Sequence, residues 1–449
     1  MKISFYGAIE GITGSNFLVE TENTKFLIDC GLFQGGEQSE KRNWDEFPYD
    51  PRQIDFVVLT HSHIDHMGRL PFLYKKGFRG KVYCSRPTKA FSELFMTDAA
   101  HILKNIAERF NLPELFGAEE IENLLTLYES FDYYQKISPA PNIEIKLYDA
   151  GHILGSAIIE VKAEGKTIIF SGDLGNPPVP LLKDTDPIKK ADYVILESTY
   201  GDRNHISQEK REILLERAIE DNFARKGVVL MPAFAMERTQ EILYEINKMK
   251  KENRIPDIPI YLDSPLAKKA TFIYKKFPEY FDLEATQFLK SGEDFFNFPS
   301  LHFIETKEES KELDRDFQPK VIIAGSGMST GGRILFHEKV YLPKPTTTLL
   351  IVGFQVKGTL GRELKEGAKR VTIEGEKIEV KAKIIEIESY SAHADQGKLK
   401  YWLSRIEKPV KKVFLVHGEK KAKIILKHCI EDNLGYETAM PKTNEAINL

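Results

Sequence analysis

Cysteine is scarce in this sequence. The 449 residues hold three, at 30, 84 and 429. They are far apart and odd in number, which excludes a disulfide framework and fits a reducing interior. No apolar run is long enough to cross a membrane. The first residues, Met1-Lys2-Ile3-Ser4-Phe5, enter strand-like sequence with no charged segment followed by an apolar one. The expectation is therefore a cytoplasmic protein that does not contact membranes. An excess of one charge is also missing: 63 Lys and Arg stand against 67 Asp and Glu, a net charge of -4. A polyanion would have to be met by a local basic surface or by bound metal, because whole-molecule charge would not attract it. There is no low-complexity segment, heptad pattern or fixed-period repeat. The length fits two domains or one elaborated domain.

What the chain does have is histidine in one place. Phe56-Val57-Val58-Leu59 reads as a buried strand, and Thr60-His61-Ser62-His63-Ile64-Asp65-His66 follows it directly. Imidazole nitrogens and carboxylate oxygens are the ligands a borderline ion such as zinc takes. One catalytic ion uses about three protein groups, so four in one turn suggest two ions. A structural zinc staple would favour cysteine, and this stretch has none.

The same event recurs along the chain. Short strands are expected at Lys2–Phe5, Ser15–Glu20 and Lys25–Asp29. Asp29 closes the third beside Gly31, either as a turn former or as a hydrogen-bond partner of a metal-bound imidazole. After the strand Lys81–Cys84, residues 87–134 read as helical. Strands at Asn142–Leu147 and Ser156–Val161 flank His152, set between Gly151 and Gly155. Thr167–Phe170 delivers Asp173, and Tyr193–Leu196 delivers Glu197. One strand ending in a His, Asp or Glu means little, but several build a cleft lined with ligands along one sheet edge.

After Arg203 the pattern becomes alternating. A helix at Gln208–Arg225, a strand at Gly227–Pro232, a helix at Thr239–Lys250 and strands at Ile258–Leu262, Val321–Ala324 and Thr347–Val352 imply a parallel sheet with helices on both faces. Residues 284–315 resist assignment. From Val371 the chain returns to short strands, Lys377–Val380 and Lys383–Glu388. It then gives Ser389-Tyr390-Ser391-Ala392-His393-Ala394-Asp395, the strand Val413–Val416, His417-Gly418-Glu419 and a closing helix through Ile430.

With these residues in order, the chain resembles the β-CASP family of metallo-β-lactamase-fold hydrolases, which includes the pre-mRNA 3′-end endonuclease subunit and its archaeal and bacterial relatives. Asp29, the His61/His63/Asp65/His66 run, His152 and Asp173 match the family's first four motifs. Glu197, His393 and His417 match its three β-CASP motifs. The resemblance implies an αββα metallo-β-lactamase sandwich, residues 1–203 and 371–449, with an inserted α/β β-CASP domain of mainly parallel sheet, residues 204–370. It places the active site in the cleft between them. It implies two Zn2+ ions, one on His61, His63 and His152, the other on Asp65, His66 and His417, with Asp173 bridging. It sets Asp65, Glu197, His393 and Asp29 among the catalytic and supporting groups. No RNA-binding extension is expected before the fold and no extra domain after His417. The presence of His417 favours RNA over DNA.

The chemistry implied is hydrolysis of single-stranded RNA to 5′-phosphate and 3′-hydroxyl ends, endonucleolytic by preference. His393 serves as the acid for the leaving oxygen and Glu197 orients it. On the insert, Ser326, Gly327 and Arg333 lie in a glycine-rich turn that could face a phosphate. Arg238 contacts phosphate or pairs with a carboxylate. Phe234 is expected in the core. The rivals are a 5′-to-3′ exonuclease, a small-molecule hydrolase of the same fold, and a non-catalytic RNA-binding scaffold. A homodimer or a larger RNA-processing complex stays open.

Overall fold

The computed structural model describes residues 1–449 apart from 177–179, 293, 317, 388–389 and 408–409. The chain divides into two compact units. The first comprises residues 1–177, 183–204 and 393–449, and the second residues 178–182 and 205–392.

The first unit is built on two sheets of seven strands. In one, the spatial order is Glu445–Asn448, Lys2–Gly7, Asn16–Glu20, Lys25–Ile28, Phe56–Val58, Lys81–Cys84 and Tyr128–Ser130. Pairing is antiparallel through the first four strands and parallel from Lys25–Ile28 onward. The other sheet runs Thr438–Ala439, Lys412–Leu415, Tyr193–Leu196, Lys166–Phe170, Ala157–Ala163, Ile143–Asp149 and Lys136–Ala140. Strand side chains alternate between faces, and Ile143–Asp149 shows it: Ile143, Ile145 and Leu147 are buried while Glu144, Lys146 and Tyr148 are half-buried.

The inward faces meet in one core. Phe5, Phe17, Val19, Phe26 and Ile28 of the first sheet pack with Ile145, Leu147, Ile159, Val161 and Phe170 of the second. The outward faces are covered by helices. Leu27, Val57 and Val82 pack with Leu73, Met96, Leu103 and Leu124. Val194, Leu196, Val413 and Leu415 pack with Leu399, Trp402, Leu426 and Ile430. Helix, sheet, sheet, helix is the layering expected from the sequence. The 87–134 region is less uniform than its apolar pattern. The helix Arg86–Phe110 ends at Asn111, which takes a left-handed φ of +51°. A second helix, Ala118–Leu125, and the edge strand Tyr128–Ser130 follow.

The second unit carries a six-stranded sheet in the order Leu301–Phe303, Ile260–Asp263, Lys320–Ala324, Val228–Pro232, Thr348–Ile351 and Lys383–Glu386, with every pairing parallel. An antiparallel hairpin, Arg370–Ile373 with Glu376–Glu379, packs Val371, Ile373 and Ile378 onto the same core as Val228, Leu349 and Tyr341. This moves one boundary. The sequence reading returns the chain to the first unit at 371, whereas residues through 392 belong to the second. Short strands look alike in either sheet, and only the pairing of Lys383–Glu386 with Thr348–Ile351 assigns them. Glu388 and Ser389, which the reading placed at a strand end and in a motif, lie outside the described residues. The unassigned 284–315 stretch contains the helices Leu283–Lys290 and Lys307–Leu313 and the strand Leu301–Phe303.

Candidate metal centre and active site

The histidine run leaves the strand Phe56–Val58 as a turn and becomes the short helix Ile64–Met67. Its backbone is clamped by neighbouring strand ends. Ser15 N donates to Asp65 O (2.8 Å), Cys30 N to His66 O (2.7 Å) and Leu32 N to Ile64 O (2.9 Å). The approach needs a glycine: a Cβ on Gly31 would sit 1.6 Å from the Asp65 carbonyl oxygen.

Two groups of donors result. In the first, His61 Nε2 lies 3.1 Å from His63 Nδ1, and His152 Nε2 lies 3.2 Å from the same atom. Asp173 Oδ2 is 3.5 Å from both His61 Nε2 and His152 Nε2. In the second, His66 Nε2 and His417 Nε2 are 3.3 Å apart, and Asp65 Oδ2 is 3.5 Å from His417 and 3.9 Å from His66. Asp173 Oδ2 is also 3.4 Å from His66 Nε2, so one carboxylate oxygen serves both groups. Nitrogen ligands about 2.0–2.1 Å from a tetrahedral ion stand about 3.3 Å from one another, which is the spacing here. Asp173 Oδ1 is buried with no hydrogen-bond partner, an acceptor whose burial calls for a cation. The donor set, imidazole and carboxylate without thiolate, is that of catalytic divalent ions. The residues fit a divalent metal centre.

Charge states differ between the groups: burial opposes the charge on His66, but Asp173 and Asp29 prevail and raise it well above its usual range, so its ligation would displace a proton. Burial foremost, helped by the neighbouring His66, pushes His61 well below its usual range. Burial likewise takes His63 down to about 4. Both rings are neutral at ordinary pH, the form that can ligate. Burial opposes ionisation of Asp173, but His417 and His66 prevail and hold it well below the usual carboxylate range.

The far sides of the rings are also engaged. Asp29, at φ +60°, places Oδ2 2.7 Å from His66 Nδ1 and accepts from Thr60 N and Thr60 Oγ1, both at 2.8 Å. It is therefore a ring-orienting group that also holds the turn. Thr60 Oγ1 lies 3.0 Å from His61 Nδ1. Thr199 Oγ1 lies 3.1 Å from His417 Nδ1 and 3.3 Å from His393 Nδ1. The sequence reading missed Thr60 and Thr199. Their only signal is adjacency to His61 and Glu197, and a hydroxyl beside a motif is too common to single out.

His393 stands beside the metal groups. Its Nδ1 is 3.3 Å from Glu197 Oε2 and 3.8 Å from Asp173 Oδ2, and the side chain keeps 14% of its exposure. Glu197 is itself fixed by N–H donation from Leu174 at 2.7 Å. Burial would lower the imidazole, but Glu197 and Asp173 outweigh it and raise His393 to about 8. His61, His63, Asp65, His66, His152, Asp173, Glu197, His393, His417 and Asp29 thus converge within the first unit.

The four substrate-binding expectations on the insert fare differently. Arg238 is buried and paired with Glu241, the carboxylate alternative. Arg333 is not free for phosphate: it bonds Asp263 Oδ1 (2.5 Å) and the Ile304 and Glu305 carbonyls. Gly327 is buried, and its missing Cβ makes room for Phe234, whose Cδ2 would lie 2.7 Å from it. Ser326 is half-buried, its hydroxyl accepting from Thr330 N at 2.9 Å. Phe234, expected in the core, is 36% exposed. Polar and glycine residues in a turn satisfy one another first, and sequence alone does not reveal those partners.

Fold and site together define a metal-dependent hydrolase of the metallo-β-lactamase class. Residues 18–176 match the metallo-beta-lactamase superfamily domain, residues 239–364 the Beta-Casp domain, and residues 377–441 the Zn-dependent metallo-hydrolase RNA specificity domain. The chain is 37% identical to Ribonuclease TTHA0252 of Thermus thermophilus over the full length of both. It is 32% identical to an RNase J-like protein of Methanocaldococcus jannaschii, covering 98% of this chain and 97% of that one. It is 28% identical to the transcription termination factor FttA of Methanosarcina mazei, covering all of this chain and 72% of that protein. A crystal structure of a protein of unknown function from Enterococcus faecalis V583 shares the fold with a TM-score of 0.53 at 11% identity, covering 100% of this chain and 99% of that one. The chain belongs to the β-CASP family of metallo-β-lactamase-fold ribonucleases.

Proposed function

We propose that this chain is a two-zinc endoribonuclease that cuts single-stranded RNA internally and leaves 5′-phosphate and 3′-hydroxyl ends. The observation that carries the reading is one carboxylate, Asp173, shared by two donor groups, with His393 beside it on Glu197. His61, His63 and His152 would hold one ion, Asp65, His66 and His417 the other, and Asp173 both. Two such ions supply an activated water and a clamp for the non-bridging phosphate oxygens. The chain's own residues do the rest. Asp29 and Thr199 fix the ring orientation of His66 and His417. Glu197 holds His393 with one nitrogen toward itself and keeps it protonated near neutral pH. His393 then gives its proton to the departing 3′-oxygen. Ser326, half-exposed in its turn, is the insert residue retained as an RNA contact.

The test is cleavage of a 5′-labelled single-stranded RNA by the wild type and by His393→Ala, with zinc measured on both. The expected result is internal fragments from the wild type and about 100- to 10,000-fold slower cleavage by the variant, each chain holding about two zinc ions. Labelled mononucleotide as the first product would replace this reading with a 5′-to-3′ exonuclease. RNA binding without stoichiometric metal would replace it with a scaffold.

A further inference from the structure

Lys423 lies in the first turn of the helix Lys420–Leu434, only 4% exposed. Its ammonium donates to the carbonyl oxygen of Ile9. Among the described residues no carboxylate forms an ion pair with it, and the nearby Glu10 charge offsets only part of the cost of burial. This is a poor place for a cation on two counts. Burial disfavours the charge and lowers its pKa, and the N-terminal turn of a helix already carries partial positive charge. An apolar side chain of the same length would pack there without either cost.

The peptide it grips explains the choice. The residue before Ile9 is Ala8, whose carbonyl accepts the backbone N–H of His417 at 2.6 Å. Both Ala8 (φ +54°) and His417 (φ +50°) sit in the left-handed region. A β-carbon makes that region costly, and such residues stay there only where their surroundings hold them. The loop supports itself on one side, through Ala8 N to Thr13 O at 3.1 Å. Lys423 supplies the other side, from the helix that begins just after His417. The turn bearing His417 is thus clamped between the strand Lys412–Leu415 before it and a loop tied back to its own following helix.

We propose that Lys423 is a positioning residue for His417, and through it sets the affinity of the Asp65/His66/His417 ion site. The proposal rests on the two-ion reading above. It assigns Lys423 no contact with substrate. The donated hydrogen bond matters, because it fixes the Ile9 carbonyl, the Ala8 peptide and the strained His417 backbone in series.

The experiment is a zinc titration of the metal-free full chain against a chromophoric chelator, resolving both binding constants, on wild type, Lys423→Met and Lys423→Gln. Lys423→Met keeps the packing and loses the donor. Its Asp65/His66/His417 site should fall about 10- to 100-fold in affinity, the usual effect of a lost supporting contact, while the His61/His63/His152 site is unchanged. Lys423→Gln, which can still donate an N–H, should recover most of the loss. A third protein, with Glu10 replaced by its α-hydroxy acid, turns the Ile9 carbonyl into a weaker ester acceptor and leaves every core side chain in place. It should lose affinity at the same site alone, and it carries the test if Lys423→Met does not fold. Two wild-type binding constants in a folded Lys423→Met, or in the ester protein, would overturn the role of Lys423. A wild type that binds a single ion would overturn the two-ion reading itself.

Discussion

Asp29 Oδ2 lies 2.7 Å from His66 Nδ1, on the side of the ring away from the Nε2 that faces Asp173 and His417. That pairing occupies Nδ1 and leaves Nε2 as the nitrogen His66 would offer an ion in the proposed site. A carboxylate behind a ligating imidazole fixes its tautomer and raises its basicity. Asp29→Asn should therefore weaken metal binding about 10- to 100-fold. It should also cost about 1–3 kcal/mol of stability, because Thr60 N and Thr60 Oγ1 share the same carboxylate. Zinc titration and urea unfolding of the same preparation check both. Wild-type zinc affinity in the variant would make Asp29 a turn residue only.

On the proposed mechanism, Glu197 governs the proton on His393. An acid works while protonated, so cleavage is lost as pH rises through its pKa, which Glu197 and Asp173 hold at about 8 against burial. In Glu197→Gln the amide oxygen still accepts from Leu174 N but the charge is gone. The alkaline limb of the kcat/KM profile for RNA cleavage should move to lower pH, with zinc content unchanged. An unmoved limb would mean that another group supplies the proton.

His337 makes stability pH-dependent in the second unit. It is fully buried, with Nε2 2.7 Å from Asp263 Oδ2 and Nδ1 2.7 Å from Asp314 Oδ1. Burial opposes its charge, but the two aspartates prevail and raise it to about 9. The stabilisation is therefore complete below about 6.5, the ordinary histidine value, and fades as pH climbs through about 9. Its size is on the order of 3 kcal/mol. Urea unfolding at pH 6, 8 and 10 should show the decline, and His337→Asn should flatten it.

Gly327 and Phe234 form a pair that can be tested together. A Cβ at 327 would meet the Phe234 ring at 2.7 Å. Gly327→Ala alone should destabilise by about 1–3 kcal/mol through overpacking. In a Phe234→Ala background the same change should cost almost nothing, giving a coupling energy of similar size. A cost that persists unchanged in the Phe234→Ala background in thermal unfolding would show that it does not arise from the ring.

Much of the first unit was legible in the sequence because strands ending in His61, Asp173, Glu197 and His417 combine apolar runs with unusual residues. The expected division of donors between two ions came with the family resemblance those motifs carry, not from the residue types alone. Thr199 was not legible, since its contribution is an orientation across from His417 rather than a pattern. Arg333 was misread for a related reason: a guanidinium beside glycines invites a phosphate, but the strand end at Asp263 and two carbonyls already satisfy it. The boundary at residue 392 escaped because a four-residue strand carries no mark of which sheet it will join. Phe234 escaped because apolar character predicts burial only on average.

The two donor groups are also separated in time. His61, His63, His152 and Asp173 have all been made before the second unit begins, whereas Asp65 and His66 wait for His417, which follows the entire second unit. The strand Glu445–Asn448, beside Lys2–Gly7, comes later still. A growing chain therefore carries one complete set of donors and two of the three residues of the other while the second unit is being made. Any product cut short before His417 lacks the second set. On the two-ion reading, the second ion site can therefore be assembled only once the chain has been made through His417.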